Sequence, residues 1–159
     1  MLDSKIRKME INDYKQVHIL IEQVHNLHLK QRPDIYRDED PISYEEFMQF
    51  VKDPNYICYV AEKDKRIIGE IIAVKKEIKE EKVFKHRMIL FIDDICVDVE
   101  HKRQGIGKTL YEKVLLYAKD NNIDSTELVV WSFNNDAIRF YEELGMTPKN
   151  IRYEYKVSK

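Results

Sequence analysis

Three stretches of this chain hold residues whose types and spacing could do chemistry. The first reads Lys102-Arg-Gln-Gly-Ile-Gly-Lys, between an apolar stretch and an amphipathic one. Only four glycines occur in 159 residues, and Gly105 and Gly107 stand two apart here. Where a strand turns into a helix, unpaired N–H groups and the positive end of the helix dipole make an anion site. Lys102, Arg103 and Lys108 add positive charge around it. The chemistry suggested is binding of a phosphate or pyrophosphate. The spacing is not that of a Walker loop, and the third glycine of a dinucleotide fingerprint is missing, with Tyr111 near its place. A strand-to-helix turn with a basic collar fits the glycines equally well.

The second stretch is Ile92-Asp-Asp-Ile-Cys-Val. Asp93 and Asp94 interrupt an otherwise apolar strand. Charges there are costly unless paired or wet, so a cleft is a natural explanation. A regular strand points them to opposite faces, and a bulge would turn both to one side. Either carboxylate could take a proton from an ammonium or orient it. One facing solvent and the other held in an ion pair explains them equally well. The third stretch runs from Trp131 to Met146, with Asn134 and Asp136 at a helix start, then Ala137, Ile138, Phe140, Tyr141 and Leu144. Taken alone it is a capped amphipathic helix with aromatics in the core.

Together, the first and third stretches resemble the GNAT superfamily of N-acetyltransferases. The family's loop Arg/Gln-x-x-Gly-x-Gly/Ala corresponds to Lys102 through Gly107, with Lys102 where Arg or Gln is usual. Its segment Asn-x-x-Ala-x-x-Phe-Tyr-x-x-x-Gly-Phe corresponds to Asn134 through Met146, with Met146 in place of Phe. The resemblance covers about residues 5 to 157. It implies an α+β fold with a mixed, mostly antiparallel sheet, splayed between two parallel strands and flanked by about four helices. It implies acetyl-CoA as co-substrate, lying in the cleft between Met88–Val99 and Glu127–Trp131. Backbone groups of Ile95, Cys96 and Val97 would hold the pantetheine arm and polarise the thioester carbonyl. Backbone N–H groups of Arg103, Gln104, Gly105, Ile106, Gly107 and Lys108, beside Lys102, would hold the pyrophosphate. Asn134 would contact the cofactor's arm. Tyr141 would protonate the leaving thiolate, and a phenol is protonated at neutral pH. Asp93 is the expected base, directly or through a water, with Asp94 orienting the amine or pairing structurally.

The resemblance points to a primary amine as acceptor. A small cationic amine fits the acids best; a protein N-terminus or lysine is the alternative. A non-catalytic CoA-sensing module on the same fold is the rival from another class. The loop from Arg32 to Glu46 holds six acids and two arginines and could steer a cation, with Asp34, Tyr36 and Glu39 as candidate contacts. His25 and His28 can share a helix face, but no third ligand accompanies them, so no metal is expected. Cys58 and Cys96 read as small apolar strand residues. Trp131 and Phe133 read as core or cleft wall, and Tyr153 and Tyr155 as strand packing.

The elements that must position these residues alternate. Strands are predicted at Ser4–Lys8, Tyr56–Ala61, Ile67–Ile78, Val83–Val99, Glu127–Trp131 and Ile151–Val157. Helices are predicted from Asn12, as cap, to Gln31, then after the capping box Ser43/Glu46, at Gly105–Asn121 and at Asn134–Leu144. No repeat or linker divides the chain, so residues 1–159 read as one domain. With 27 Lys and Arg against 29 Asp and Glu, the charge of −2 argues against a nucleic-acid binder. No apolar run approaches the ~18 residues of a membrane span, and the first residues hold no apolar signal core. Two cysteines suit a reducing compartment. The expectation is a cytoplasmic enzyme with neither membrane nor nucleic-acid partner; a homodimer is compatible with the resemblance.

Overall fold

A computed structural model describes residues 3–157. The chain divides into two compact units, Met1–Leu128 and Val129–Lys159. The first unit is built on one sheet of five strands in the order β1 (Lys5–Lys8), β2 (Tyr56–Lys63), β3 (Arg66–Ile78), β4 (Arg87–Val97) and β5 (Ser125–Glu127). Every pairing is antiparallel except β4 with β5. The β2–β3 hairpin forms as its pattern predicts, turning through Asp64 and Lys65, both at positive φ. The strand expected from Val83 starts only at Arg87. Glu81 and Phe84 close a small turn instead, with Val83 and Phe84 exposed.

Helices cover the sheet. α1 (Tyr14–Gln31) and α2 (Tyr44–Lys52) bury Val17, Leu20 and Phe47 against Val60, Ile72 and Cys96. α3 (Ile106–Asp120) packs elsewhere on β3: a Cβ built on Gly69 would meet the Ile106 Cγ2 at 3.0 Å and the Leu110 Cδ1 at 3.2 Å. Side chains alternate along a strand, so Gly69 turned to α3 leaves Glu70 and Ile72 turned towards α1. The seven residues from Ile67 to Ala73 are all buried, which is the signature of a strand covered on both faces.

The α2 capping box is as expected, with Glu46 N–H donating to Ser43 Oγ at 3.2 Å and Ser43 N–H to Glu46 Oε2 at 2.8 Å. The start of α1 is not. Asn12 lies in a 3-10 turn, and Asp13 takes the cap position. The buried Asp13 is claimed by Arg7, whose guanidinium donates to both its oxygens at 2.8 Å and to Glu62 at 2.6 Å. These contacts raise the Arg7 pKa and tie β1, β2 and the entry of α1 together.

In the second unit, α4 (Asn135–Glu143) is capped by Asn134, whose Oδ1 accepts from Ala137 N–H at 3.2 Å. The strand predicted to Trp131 ends at Glu127, and none is assigned to 151–157. A strand exists only through a ladder, and apolar alternation alone does not supply the partner. Tyr153 and Tyr155, expected in strand packing, are exposed. Trp131 and Phe133 are half-buried and stacked on each other, 5.8 Å between centroids. Among the described residues, no helix is long and apolar enough to cross a membrane.

Candidate functional site

The glycine loop ends in a backbone turn whose N–H groups could receive an anion. Arg103 has φ +60°, a region that costs a non-glycine residue about 1–2 kcal/mol. Gly105, the cap of α3, has φ +80°. Left-handed residues near a helix start turn successive N–H groups into one concavity. The α3 ladder opens with Thr109 N–H on the Gly105 carbonyl at 3.0 Å. The N–H groups of Ile106 and Gly107, with that of Lys108, therefore precede the ladder and stand at the positive end of a four-turn helix. Lys102, Arg103 and Lys108 are exposed around it. This donor set suits a pyrophosphate.

β4 leads from this loop back to a pocket. Its ladder with β5 covers only Ile89–Phe91 against Ser125–Glu127, so β4 runs on from Ile92 to Val97 past the last β5 pair. A register shift marks the same stretch on the β3 side. Ile72 pairs with Asp94 and Ala73 with Ile92, which leaves Asp93 as the extra residue of a bulge. The bulge breaks the alternation, and both Asp93 and Asp94 line one pocket of about 340 Å³. α1 contributes Ile21, Val24, His25 and His28 to it, α2 contributes Glu46 and Phe50, and the preceding loop contributes Tyr36.

Burial sets the electrostatics. It pushes the Asp94 carboxyl up to about 7, while the neighbouring Glu70 carboxyl and the Ile95 N–H hold it down. Asp93, though exposed to solvent, is also raised by the desolvation its neighbours impose, and Lys76 pulls it back. Lys76 is anchored with its ammonium 3.9 Å above the Phe91 ring. His28 is lowered by burial and by His25, so the imidazole is favoured over the imidazolium. The Cys58 thiol is pushed up to about 12 and Cys96 higher still, both by burial, so neither is a thiolate nucleophile.

Two further polar residues of this region, Gln23 and Glu70, carry weak signals in the sequence. Gln23 reaches from α1 to β4: its amide donates to the Val97 carbonyl at 3.0 Å and its Oε1 accepts from Val99 N–H at 3.3 Å. Nothing in a helical heptad distinguishes such a glutamine. Glu70 is 0% exposed, in the middle of β3. Its signal was present, an acid inside Ile67-Ile-Gly-Glu-Ile-Ile-Ala-Val, the same anomaly that draws attention to Asp93 and Asp94.

The expected residues fall into three groups. Asp93 and Asp94 meet at the pocket, and Ile95, Cys96 and Val97 continue their strand towards the loop. Lys102 to Lys108 form the turn into α3 and its first residues. Asn134 and Tyr141 belong to the second unit, where Asn134 caps α4 and the half-buried Tyr141 lies tilted against Phe140 at 5.4 Å. Of the acidic loop, Tyr36 lines the pocket, whereas Asp34 is held by Arg32 at 2.8 Å. Asp40 binds His18 at 2.8 Å.

The profile of the acetyltransferase (GNAT) family matches residues 21–146. Human N-alpha-acetyltransferase 30 is 25% identical over 130 residues, which is 79% of this chain and 34% of that protein. The Escherichia coli K12 [ribosomal protein bS18]-alanine N-acetyltransferase is 34% identical over 62 residues, 39% of this chain and 42% of that one. The chain thus spans a third to under a half of the length of these relatives. A crystallised variant of the BH1408 protein from Bacillus halodurans has a TM-score of 0.95 at 28% identity, over 97% of this chain and 99% of that one. An aminoglycoside N-acetyltransferase in complex with CoA shares the fold, with a TM-score of 0.72 at 14% identity, over 98% of this chain and all of that one.

Proposed function

The chain belongs to the acetyltransferase (GNAT) family, and from that premise we propose that it transfers the acetyl group of acetyl-CoA to a small cationic primary amine. The observation that carries the acceptor class is the pocket itself, which Asp93 and Asp94 line together with the apolar and aromatic Ile21, Tyr36 and Phe50. An ammonium gains from the carboxylates, and its carbon skeleton gains from the walls.

Acetyl-CoA, when bound, supplies an activated thioester. The cradle from Lys102 to Lys108 holds the pyrophosphate, and backbone groups of Ile95 to Val97 hold the pantetheine arm. Gln23 fixes the end of that strand by holding the Val97 carbonyl. The family pattern gives Asn134 a contact to the same arm. Asp94 takes the ammonium proton, in place of the expected Asp93, because a base titrating near neutrality is matched to the task. Asp93 then orients the substrate cation. The freed nitrogen attacks the thioester carbonyl as the C–S bond breaks. The family pattern gives Tyr141 the role of donating its proton to the sulfur and regaining one from the acetylated nitrogen. Holding amine and thioester together supplies much of the rate.

Calorimetry with acetyl-CoA, followed by thiol release on a panel of diamines, polyamines, aminoglycosides and a short peptide, tests this reading. Micromolar acetyl-CoA binding and turnover on the small amines are expected. Absence of binding at high micromolar concentration overturns it. Turnover confined to the peptide instead selects a protein amine as acceptor, the reading that N-alpha-acetyltransferase 30 and the ribosomal-protein alanine acetyltransferase favour.

A further inference from the structure

Glu70 is the largest electrostatic anomaly in the sheet. It is 0% exposed, and neither of its carboxyl oxygens has a hydrogen-bond partner of good geometry. A buried carboxylate in that state is untenable, whereas a carboxylic acid needs only one good acceptor. The acceptor is at hand. On the β3–β4 ladder Glu70 pairs with Cys96 and Ile72 with Asp94, so Glu70 and Asp94 are diagonal neighbours. Glu70 and Ile72 share a face, as do Asp94 and Cys96, and Ile72 and Asp94 both line the pocket. Two ionised carboxyls cannot touch in a dry site, so one of them carries a proton.

We propose that Glu70 carries a proton at rest and donates it as a hydrogen bond to Asp94, making Glu70 the positioning residue that keeps the Asp94 carboxylate ready for the incoming ammonium. This rests on reading the pocket as an amine site. The pair then cycles between one proton and two. The ammonium N–H bond breaks, its proton goes to Asp94, and the amine keeps the electron pair that attacks the acetyl donor. After product leaves, Asp94 returns that proton to water through the pocket.

The surroundings assign the roles. Glu70 is raised well above the usual carboxyl range by burial and by Asp94, only partly offset by the Cys96 N–H. Asp94 has the pocket on its open side. The other titratable or charged groups nearby are Cys58 on β2, Lys76 at the outer end of β3, and Asp93 and Cys96 on β4. His25 and His28 face them from α1, and Glu46 from α2. Cys58 and Cys96 stay neutral thiols, so the shared proton belongs to the Glu70–Asp94 pair.

Two measurements test this. The first is the acid limb of kcat/KM against pH for the wild type, Glu70→Gln and Glu70→Leu. Gln keeps a donor towards Asp94 and should keep the limb near its wild-type position. Leu keeps the burial but removes the donor, and the limb should rise by about one pH unit. A role in packing alone would move no limb, so coincident limbs in wild type and Glu70→Leu overturn the proposal. A Gln limb displaced as far as the Leu limb does the same. The second measurement needs no turnover: the infrared C=O stretch of a protonated carboxyl at pH about 8, where ordinary carboxyls are ionised. The band is expected in the wild type and absent in Glu70→Gln; its persistence in Glu70→Gln overturns the proposal. If the wild type acetylates no amine, the acceptor reading fails while the infrared band still decides where the proton resides.

Discussion

At the residue scale, the acids of β4 matter more than the cysteines or histidines around them. Asp94 has a folded-state value near 7 against roughly 3.9 in an unfolded chain. Between those values the folded state holds the extra proton, so folding stability is greatest at the acid end and falls as pH rises through about 7. Urea denaturation should therefore give a lower stability at pH about 8 than at about 5, by about 2 kcal/mol or more, because the buried Glu70 acts in the same direction. Asp94→Asn should make that slope shallower and leave the part that the protonated Glu70 contributes, and an unchanged slope would move the titration elsewhere. Tyr141→Phe should lower turnover about 100-fold while acetyl-CoA affinity stays nearly constant, as befits a general acid. Equal turnover would remove Tyr141 from the chemistry. Asp93 and Asp94 were legible as anomalies in an apolar strand, but their convergence on one pocket was not. It depends on a bulge that no pattern of residue types announces. Glu70 carried the same signal more faintly, because a single acid in a long strand is also what a solvent-facing position looks like.

At the scale of elements, most of the scaffold could be read from periodicity. The β2–β3 hairpin, the α2 capping box and the start of α3 at the glycine loop all follow from local rules that tertiary contacts do not override. The start of α1 does not, because Arg7 on the preceding strand claims the side chain of Asp13, a pairing that helix periodicity does not announce. The last predicted strand fails for a related reason: Ile151 to Val157 alternates well, but a ladder is a property of two segments. The fit of α3 onto β3 gives the element-level test. In Gly69→Ala the new Cβ would meet the Cys96 carbonyl at 3.2 Å and the Ile106 methyl at 3.0 Å, a crowding that the backbone atom cannot relieve by rotating. The substitution should cost about 1–3 kcal/mol in denaturant unfolding. It should also weaken acetyl-CoA binding, since Ile106 belongs to the loop proposed to hold the pyrophosphate. Stability lost without any change in affinity would uncouple the helix seat from the loop.

At the scale of the whole molecule, ligand binding and folding are linked. A ligand that binds only the folded chain adds about 2.7 kcal/mol at a hundred times its Kd. For a chain of this size that corresponds to a Tm rise of roughly 5–10 °C, to be read by thermal shift with CoA. No rise would contradict a preformed cradle. The strand order carries a further consequence, a kinetic one. β2, β3 and β4 are consecutive in the chain and consecutive in the sheet, whereas β1 reaches β2 across α1 and α2, and β5 reaches β4 across α3. Closing the short connections costs the least entropy, so this meander is where the transition state for folding should condense. Ile71→Val, at its centre, should then slow refolding, whereas Val17→Ala on α1 should chiefly speed unfolding. The two carboxyls that share a proton would come together in the first part of the chain to find its shape.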